Sequence, residues 1–409
     1  MLSEWRKKLV PWFEAHEAEI LKLLELFVNM DTFSHDGKQV DEMGDIIIQW
    51  MRDAGFTVQR LPKAPIPEDE PWMEQLGHVV IARTHAPEAG PGVVLMAHMD
   101  TVFPAGTARK RPFCMDKAGD RATGPGILDM KGGLVMNMFV ARAIKELNLM
   151  GDVPMTLTFS PDEELGSPTT TYHLGRELKG AHAVMCTEPG YIGGGVSVER
   201  KGSGHMLLEI TGKSAHAGRN YAEGHSAILE LAHKILAYDK HVDLDRELTV
   251  NTGLINGGTS ANSVAPCASA RIHLTFRALE DGKALVDSIR SDTEQTWVQG
   301  THSHISGGLR LYPLTMTPKV MALYDLIVKA GEAANYPVTL ERSKGAAESG
   351  YCCSVLDLPT VCSMGPEGTG LHTETEYLIP STILPRAMIL ALTSLQAGEV
   401  FLPFGERKK

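Results

Sequence analysis

The stretch that decides the fold is residues 93–100 (VVLMAHMD), in which five apolar residues end abruptly at a histidine, with an aspartate two residues further on. An uninterrupted apolar run indicates a strand that is buried on both faces, as in a parallel sheet. Polar residues at the carboxyl end of such a strand lie where α/β proteins bind their ligands. This stretch therefore predicts a parallel sheet and also the edge of that sheet at which chemistry takes place.

Acidic residues follow two more apolar runs, residues 155–159 and 183–187, and another opens a predicted helix in residues 126–133 (GILDMKGG). Carboxylates and imidazoles that converge at one sheet edge need a counter-charge, and a divalent metal ion supplies it. A late histidine in residues 370–374 (GLHTE) completes the set. The candidate metal ligands are His98, Asp129, Glu164, Glu188 and His372.

The composition argues against several classes of function. Lys and Arg number 39 against 50 Asp and Glu, a net charge of −11, and the longest basic run is residues 109–111. A nucleic-acid partner is not expected, because phosphate binding needs a clustered positive surface. No stretch approaches the roughly 20 apolar residues that span a bilayer, so no membrane partner is expected either.

The amino terminus and the cysteines indicate a cytoplasmic enzyme. The first eight residues (MLSEWRKK) lack the apolar core of a signal peptide, although a processed or exported form stays open. The six cysteines show no CxxC spacing, which argues against a zinc ribbon and a disulfide framework. We expect reduced, mostly buried thiols at Cys114, Cys186, Cys267, Cys352, Cys353 and Cys362.

Two domains are expected from a length of 409 residues. Strand–helix alternation runs to residue 188 and resumes after residue 313, which predicts a mixed, mostly parallel sheet covered by helices. The elements between follow the order β-α-β-β-α-β of a ferredoxin-like α+β unit, with its last strand near residues 309–311 and the helix before it near 284–298. We therefore predict an α/β catalytic domain, residues 1–202 and 313–409, with an inserted lid or dimerisation domain, residues 203–312.

Six short motifs occur in order along the chain: HMD at 98–100, GPGILDMKGG at 124–133, DEELGS at 162–167, EP at 188–189, SAHAG at 214–218, and His372. Together they resemble the aminoacylase-related M20 metallopeptidase family, and their spacing is most similar to its glutamate carboxypeptidase (carboxypeptidase G) branch. The resemblance covers nearly the whole chain. Six motifs in family order are far more specific than any one of them.

The resemblance implies two zinc ions per subunit. His98 and Glu188 match the ligands of one ion. Glu164 and His372 match those of the other, and Asp129 matches the carboxylate that bridges them. Family members hold a water or hydroxide between the ions, where one ion polarises the substrate carbonyl and both lower the pKa of that water. Manganese or cobalt can substitute in such an oxygen-rich site.

The resemblance also implies roles for two further carboxylates. Glu163 matches the general base that takes the proton of the water and passes it to the leaving amine. Asp100 lies two positions after His98, so on an extended strand the two side chains point the same way. Asp100 would therefore orient the imidazole of His98. The peptide after the bridging aspartate is often cis in the family, which is expected here between Asp129 and Met130.

Residues of the predicted insertion match positions that meet the substrate in relatives. His216 resembles a histidine that the family supplies to the active site of the partner in a homodimer, where it hydrogen-bonds the tetrahedral oxyanion; a plain surface position is the alternative. Asn262 and Arg277 resemble substrate-holding residues, and an arginine suits a terminal carboxylate. Arg277 could instead pair with a carboxylate on its own sheet. Arg200 and Arg310 are weaker anion candidates.

Two stretches depart from the family pattern. Residues 345–350 read GAAESG where many relatives have a glycine-rich stretch with Ser or Thr before Asp, so Glu348 is expected to reshape the pocket wall. Residues 193–195 (GGG) replace a lysine that some glutamate-specific relatives place shortly after the Glu188 position. Both departures leave the metal set intact and argue against a simple expectation of glutamate specificity.

The sequence thus predicts a dimeric di-zinc amidohydrolase whose substrate is a peptide or an N-acyl amino acid. It would cleave an amide bond next to a free carboxylate, with the insertion closing over the metals. One alternative keeps the metal centre and takes an aromatic or xenobiotic amide. The other is a non-catalytic binding protein on the same fold, which predicts a lost base or ligand, whereas Glu163 and all five ligand positions are present.

Overall fold

A six-stranded mixed sheet forms the centre of the larger part of the chain in the computed structural model, which describes residues 1–401. The strands are β1 (Thr57–Arg60), β2 (Val80–Arg83), β3 (Val93–His98), β4 (Cys114–Met115), β5 (Ala122–Thr123), β6 (Met155–Ser160), β7 (Ala183–Cys186), β8 (Gly195–Glu199), β9 (Gly202–Thr211), β10 (Thr249–Gly257), β11 (Cys267–Phe276), β12 (His302–Leu311), β13 (Thr339–Arg342), β14 (Thr360–Val361), β15 (Gly368–Thr369) and β16 (Tyr377–Leu378). The helices are α1 (Leu2–Val28), α2 (Gly37–Asp53), α3 (Thr107–Lys110), α4 (Gly132–Glu146), α5 (Thr170–Glu177), α6 (Ala227–Asp239), α7 (Leu279–Glu294), α8 (Pro318–Ala334), α9 (Ser349–Ser354) and α10 (Ile383–Val400).

The central sheet has the order β1-β2-β6-β3-β7-β14. β6, β3, β7 and β14 run parallel to one another, whereas β2 is antiparallel to both of its neighbours, β1 and β6. Every residue of β3, β6 and β7 is buried, which agrees with their uninterrupted apolar runs. The predicted mixed, mostly parallel α/β fold is confirmed, and its register places His98 opposite Ser160 and Met96 opposite Cys186.

A second sheet, of order β10-β11-β9-β12, is entirely antiparallel and has its own hydrophobic core. Its elements follow the order β-α-β-β-α-β, and α6 and α7 pack on one of its faces. The boundaries predicted at residues 202 and 313 lie beside its first and last strands. Within residues 1–401, no helix is long and apolar enough to span a membrane.

Two predicted elements of this second sheet differ from the structure. β12 begins at His302 rather than near residue 309, because it pairs with β9 along its length despite two glycines, and strand propensity is easily overridden by pairing. α7 lies about four residues earlier than predicted. Beyond its end, the carboxylate of Glu230 accepts the backbone N–H groups of Trp297 and Val298, so these residues leave the helix.

Candidate metal centre and active-site cavity

The five ligand candidates come from five segments that meet at one edge of the central sheet. β3 ends at His98, and the turns after β6 and β7 carry Glu164 and Glu188. A small sheet of order β15-β16-β5-β4 brings the other two, since Asp129 follows β5 and His372 lies in the turn between β15 and β16. The fold therefore assembles the whole predicted set.

The carboxylate of Asp129 lies between two imidazoles. Its Oδ1 atom is 3.2 Å from Nε2 of His98, and its Oδ2 atom is 3.2 Å from Nε2 of His372. The same Nε2 atom of His372 is 3.1 Å from Oε2 of Glu164, and Nε2 of His98 is 3.6 Å from Oε1 of Glu188. Asp129 thus contacts both imidazoles. The potential ligand atoms that lie within 4.8 Å of one another form two sets of three: His98, Glu163 and Glu188, and His98, Asp129 and Glu164.

The charges of this set fit a pair of cations. Burial, and after it the charge of Asp129, raises the pKa of both Glu164 and Glu188. Their Oε1 atoms are buried and have no hydrogen-bond partner within residues 1–401. Hydrogen bonds with Asp129 and then Glu164 raise the pKa of His372 to about 10. Groups of this kind would release their protons to bind metal ions, because metal ligands must be deprotonated.

Glu163 is buried beside this set, and Asp100 holds the turn that carries it. The Oδ1 atom of Asp100 accepts the backbone N–H of Glu163 at 3.1 Å, and Oδ2 accepts that of Glu164 at 3.2 Å. Nδ1 of His98 lies 2.9 Å from the backbone oxygen of Asp100 and 3.4 Å from its Oδ1 atom. Asp100 therefore supports the turn of Glu163 as well as the imidazole for which the sequence predicted it.

Burial raises the pKa of Glu163 well above its ordinary value, and the negative charge of Glu188 raises it further. A divalent cation at this set would act in the opposite direction, because a nearby positive charge favours the ionised carboxylate. An ionised Glu163 can accept a proton, so the metal ions and this residue complement each other.

Glu376 supports the Asp129 loop and was missed by sequence reasoning. It is fully buried, and its carboxylate accepts the backbone N–H groups of Gly126, Leu128 and Asp129 at 2.8 to 3.0 Å. The Asp129–Met130 peptide in this loop is cis, as the resemblance implied. The only signal in the sequence is an acidic residue four positions after His372, and its partners are backbone groups that leave no trace in the side-chain pattern.

A cavity of about 890 Å³ opens onto these residues. We call one part of its lining the floor, formed by Asp129, Glu163, Glu164, Glu188 and His372. We call a second part the wall, formed by Arg200, His205 and His273.

Arg200 in the wall is only 7 % exposed. Its Nη2 atom donates to Oγ of Ser363 at 3.0 Å, whereas its Nε atom is buried and has no hydrogen-bond partner in the described part of the chain. A buried guanidinium with an unused donor at a cavity is suited to bind an anion. The sequence had ranked this arginine below Arg277.

His205 and His273 in the wall were not predicted. They lie directly opposite each other on β9 and β11, with ring centroids 5.0 Å apart and the rings at 78°. Partial burial lowers the pKa of both imidazoles and so favours their uncharged forms, although both residues stay partly exposed. They present uncharged hydrogen-bonding groups to the cavity.

The three insertion residues that were predicted to meet the substrate do not line this cavity in the single chain. His216 and Asn262 are exposed, and the loops that carry them are hydrogen-bonded to each other. Arg277 forms ion pairs with Glu199 and Glu247. Arg277 is thus paired with carboxylates, but neither lies on its own sheet, since Glu199 ends β8 and Glu247 precedes β10. The roles of all three residues stay predictions.

Two other charged residues also lie away from the cavity lining. Glu348 is buried behind it, with its Oε2 atom 2.5 Å from Oγ of Ser160, and burial raises its pKa to about 8. Gly345 and Ala346 of the same stretch do line the cavity, so the expectation that this stretch reshapes the pocket wall stays a prediction. Arg310 forms an ion pair with the buried Glu70. Its guanidinium is therefore already paired with a carboxylate of the protein.

The fold and the ligand set together define the class of protein, a metallohydrolase. The chain belongs to peptidase family M20/M25/M40, whose model matches residues 94–396. It is similar to Carboxypeptidase G2 from Pseudomonas sp. (strain RS-16), with 26% identity over 396 residues that cover 93% of this chain and 90% of that protein.

Two further relatives extend the comparison. Acetylornithine deacetylase from Edwardsiella ictaluri (strain 93-146) is 25% identical over 378 residues, which cover 84% of this chain and 88% of that protein. The crystal structure of an M20 family metallo-carboxypeptidase from Sulfolobus solfataricus superposes with a TM-score of 0.73 at 16% identity, covering 93% of this chain and 99% of that one. The family resemblance inferred from the motifs is confirmed, and so is the fold.

Proposed function

We propose that the protein is a di-zinc amidohydrolase that cleaves an amide bond next to a free carboxylate. The observation that carries the proposal is the carboxylate of Asp129 between His98 and His372, in one cavity with Glu163. The names of two relatives, a carboxypeptidase and an acetylornithine deacetylase, support an amino-acid or peptide substrate. A cytoplasmic location is part of the same proposal, and fractionation of the native host tests it.

Each proposed zinc site combines one imidazole, one glutamate and the shared aspartate. His98 and Glu188 would hold one ion, Glu164 and His372 the other, with Asp129 between them. When bound, the ions polarise the substrate carbonyl and make a water molecule more acidic. Manganese or cobalt would suit the same donors.

Glu163 is the proposed general base. It takes a proton from the attacking water and delivers it to the nitrogen of the leaving amine. Asp100 keeps the Glu163 turn in place through its hydrogen bond to the backbone. Asp162, buried just before it, accepts hydrogen bonds from Thr169 and Thr170 and fixes the other end of the turn. These hydrogen bonds hold Glu163 in a fixed position, which proton transfer over a short distance requires.

Arg200 is the arginine that we place against the substrate carboxylate, because it lines the cavity with a free donor. Asn262 and Arg277 would contact the substrate only after the inserted sheet moves or a second subunit binds. The alternative of a xenobiotic amide was motivated by the altered stretch 345–350, of which Gly345 and Ala346 line the cavity and Glu348 does not; activity confined to acyl-glutamates would remove it. A non-catalytic function receives no support, since the base and the whole ligand set are assembled.

A homodimer through the inserted sheet is also part of the proposal. β10 is an edge strand, and its side chains Leu254 and Ile255 are 65% and 66% exposed. Leu236 on the neighbouring α6 is exposed to the same degree. An apolar edge of this kind usually pairs with another chain. Pairing there would let His216 of one subunit reach the cavity of the other.

Mixed dimers test the role of His216. We expect Glu163→Gln and His216→Ala to be inactive as separate homodimers. If His216 acts across the dimer, mixing them restores activity, because one of the two sites in the mixed dimer then has both residues. If both residues must come from one chain, the mixture stays inactive and the cross-subunit role is wrong.

The main experiment measures amine release from a panel of N-acyl and N-benzoyl amino acids and dipeptides. Metal-stripped and zinc-restored protein are compared, with zinc-restored Glu163→Gln as the control for contaminating hydrolase. We expect zinc-dependent release that the variant lacks. A protein that binds two zinc ions and releases amine from no member of the panel would contradict the proposed substrate class.

A further inference from the structure

Glu376 connects the two loops that carry Asp129 and His372. It lies at the end of the turn that begins after β15 and contains His372, and it directly precedes β16. β16 pairs with β5, the strand before the Asp129 loop, with Tyr377 opposite Thr123. The carboxylate of Glu376 then reaches across and accepts three backbone N–H groups of that loop.

The Asp129 loop is also held by a buried lysine. Lys131 is only 1% exposed, and its Nζ atom donates to the backbone oxygens of Met30 at 2.9 Å and Pro125 at 3.3 Å. The carboxylate of Glu376 thus accepts N–H groups of the loop, and Lys131 donates to a carbonyl group of the same segment. Because buried side chains satisfy both kinds of backbone group, the loop has little freedom to shift.

We propose that Glu376 is a positioning residue that makes the carboxylate of Asp129 and the imidazole of His372 one rigid unit for metal binding. The hydrogen bonds that its carboxylate accepts come from backbone N–H groups, and Glu376 does not line the cavity. It acts through the backbone, by fixing where the two ligands stand relative to each other. The inference rests on the proposed metal function, and groups that orient metal ligands typically change metal affinity or activity by about 10- to 100-fold when mutated.

Two substitutions of Glu376 and one control distinguish the effect of where its carboxylate lies from the effect of its charge. Glu376→Gln keeps the shape and one acceptor oxygen but loses the charge. Glu376→Asp keeps the charge but withdraws both oxygens by one methylene. As a matched control, Glu230→Gln alters another fully buried glutamate that accepts two backbone N–H groups, from Trp297 and Val298 in the inserted part. It measures the general effect of neutralising such a residue.

The experiment measures zinc affinity by competition with a chromogenic chelator, together with the melting temperature of each metal-free protein. We expect both Glu376 variants to bind zinc about 10- to 100-fold more weakly than the native protein, and Glu230→Gln to bind it normally. With a substrate of the panel, kcat should fall at saturating zinc while KM changes little, because Glu376 does not meet the substrate.

The outcomes separate this inference from the proposed function. Native zinc affinity in Glu376→Asp would mean that only the charge matters, and would overturn the positioning role. An equal loss of affinity in Glu230→Gln would assign the effect to general destabilisation and would overturn it as well. A native protein that binds zinc but hydrolyses nothing would contradict the proposed activity alone, since the affinity comparison needs no substrate.

Discussion

The floor and the wall of the cavity are built in different ways. Each residue of the floor stands in a short loop or turn next to a strand, so its neighbours in sequence make it recognisable. The wall histidines His205 and His273 lie within long strands, where alternate side chains face opposite sides. Whether such a side chain faces a cavity depends on how two sheets are placed relative to each other. The local sequence therefore identifies the residues of the floor, whereas only the tertiary arrangement identifies those of the wall.

Removing the base from the floor should have the largest effect. Glu163→Gln keeps the size of the side chain but cannot accept the proton, so we expect kcat to fall by about 10²- to 10⁴-fold. Zinc content, measured on the same sample, should stay at that of the native protein. A variant with full zinc and native kcat would show that the floor works without this carboxylate.

Removing the arginine of the wall should have the next largest effect. Arg200→Ala should lower kcat/KM by about 10- to 100-fold for substrates with a free carboxylate, since a hydrogen bond to a charged group contributes about 1.5–3 kcal/mol. The control is the same substrate with its carboxylate amidated, on which native and variant should differ little. An equal loss on both substrates would assign Arg200 a structural role only.

Much of the floor could be predicted from the sequence, because each ligand follows an apolar strand or opens a helix. The match to the family model confirms the family that these residues indicated, and the structure confirms the mixed α/β fold. Asp100 was recognised as a neighbour of His98, but its hydrogen bonds to the Glu163 turn depend on how β3 and β6 lie side by side. Pairings between strands that are distant in sequence give no pattern in a single chain.

The remaining residues could not be predicted for a related reason. Glu376 binds backbone N–H groups, and every residue except proline has one, so no particular side chain reveals the contact. The sequence favoured Arg277 over Arg200, and only the positions of Glu199 and Glu247 show that Arg277 is already paired. Long-range partners, rather than residue type, decide which arginine is free to bind a substrate.

Behind the floor, Glu348 should make stability depend on pH. Its pKa is raised to about 8 in the folded protein from an ordinary value of 4.5, so the folded state keeps a proton that the unfolded chain releases. Stability from this group is therefore lost as the pH rises toward 8. The native protein should lose about 2 kcal/mol of unfolding free energy from pH 6 to pH 8 through this group, and Glu348→Gln should not show this loss. Urea unfolding at both pH values measures it, and parallel pH profiles would contradict the raised pKa.

The smallest effect should come from the two histidines of the wall. Because the uncharged form of both is favoured, each can contribute a neutral hydrogen bond of about 0.5–1.5 kcal/mol, which corresponds to a change of about two- to tenfold. We expect the double variant His205→Ala/His273→Ala to raise KM by about this factor for some members of the panel and not for others, with kcat unchanged. His304→Ala, an exposed histidine further along the same sheet, serves as the control. A change in KM that depends on the substrate would show that the wall selects substrates while the floor performs the chemistry. A uniform fall in kcat would show instead that the histidines support the floor, and the division between the two regions would then be wrong.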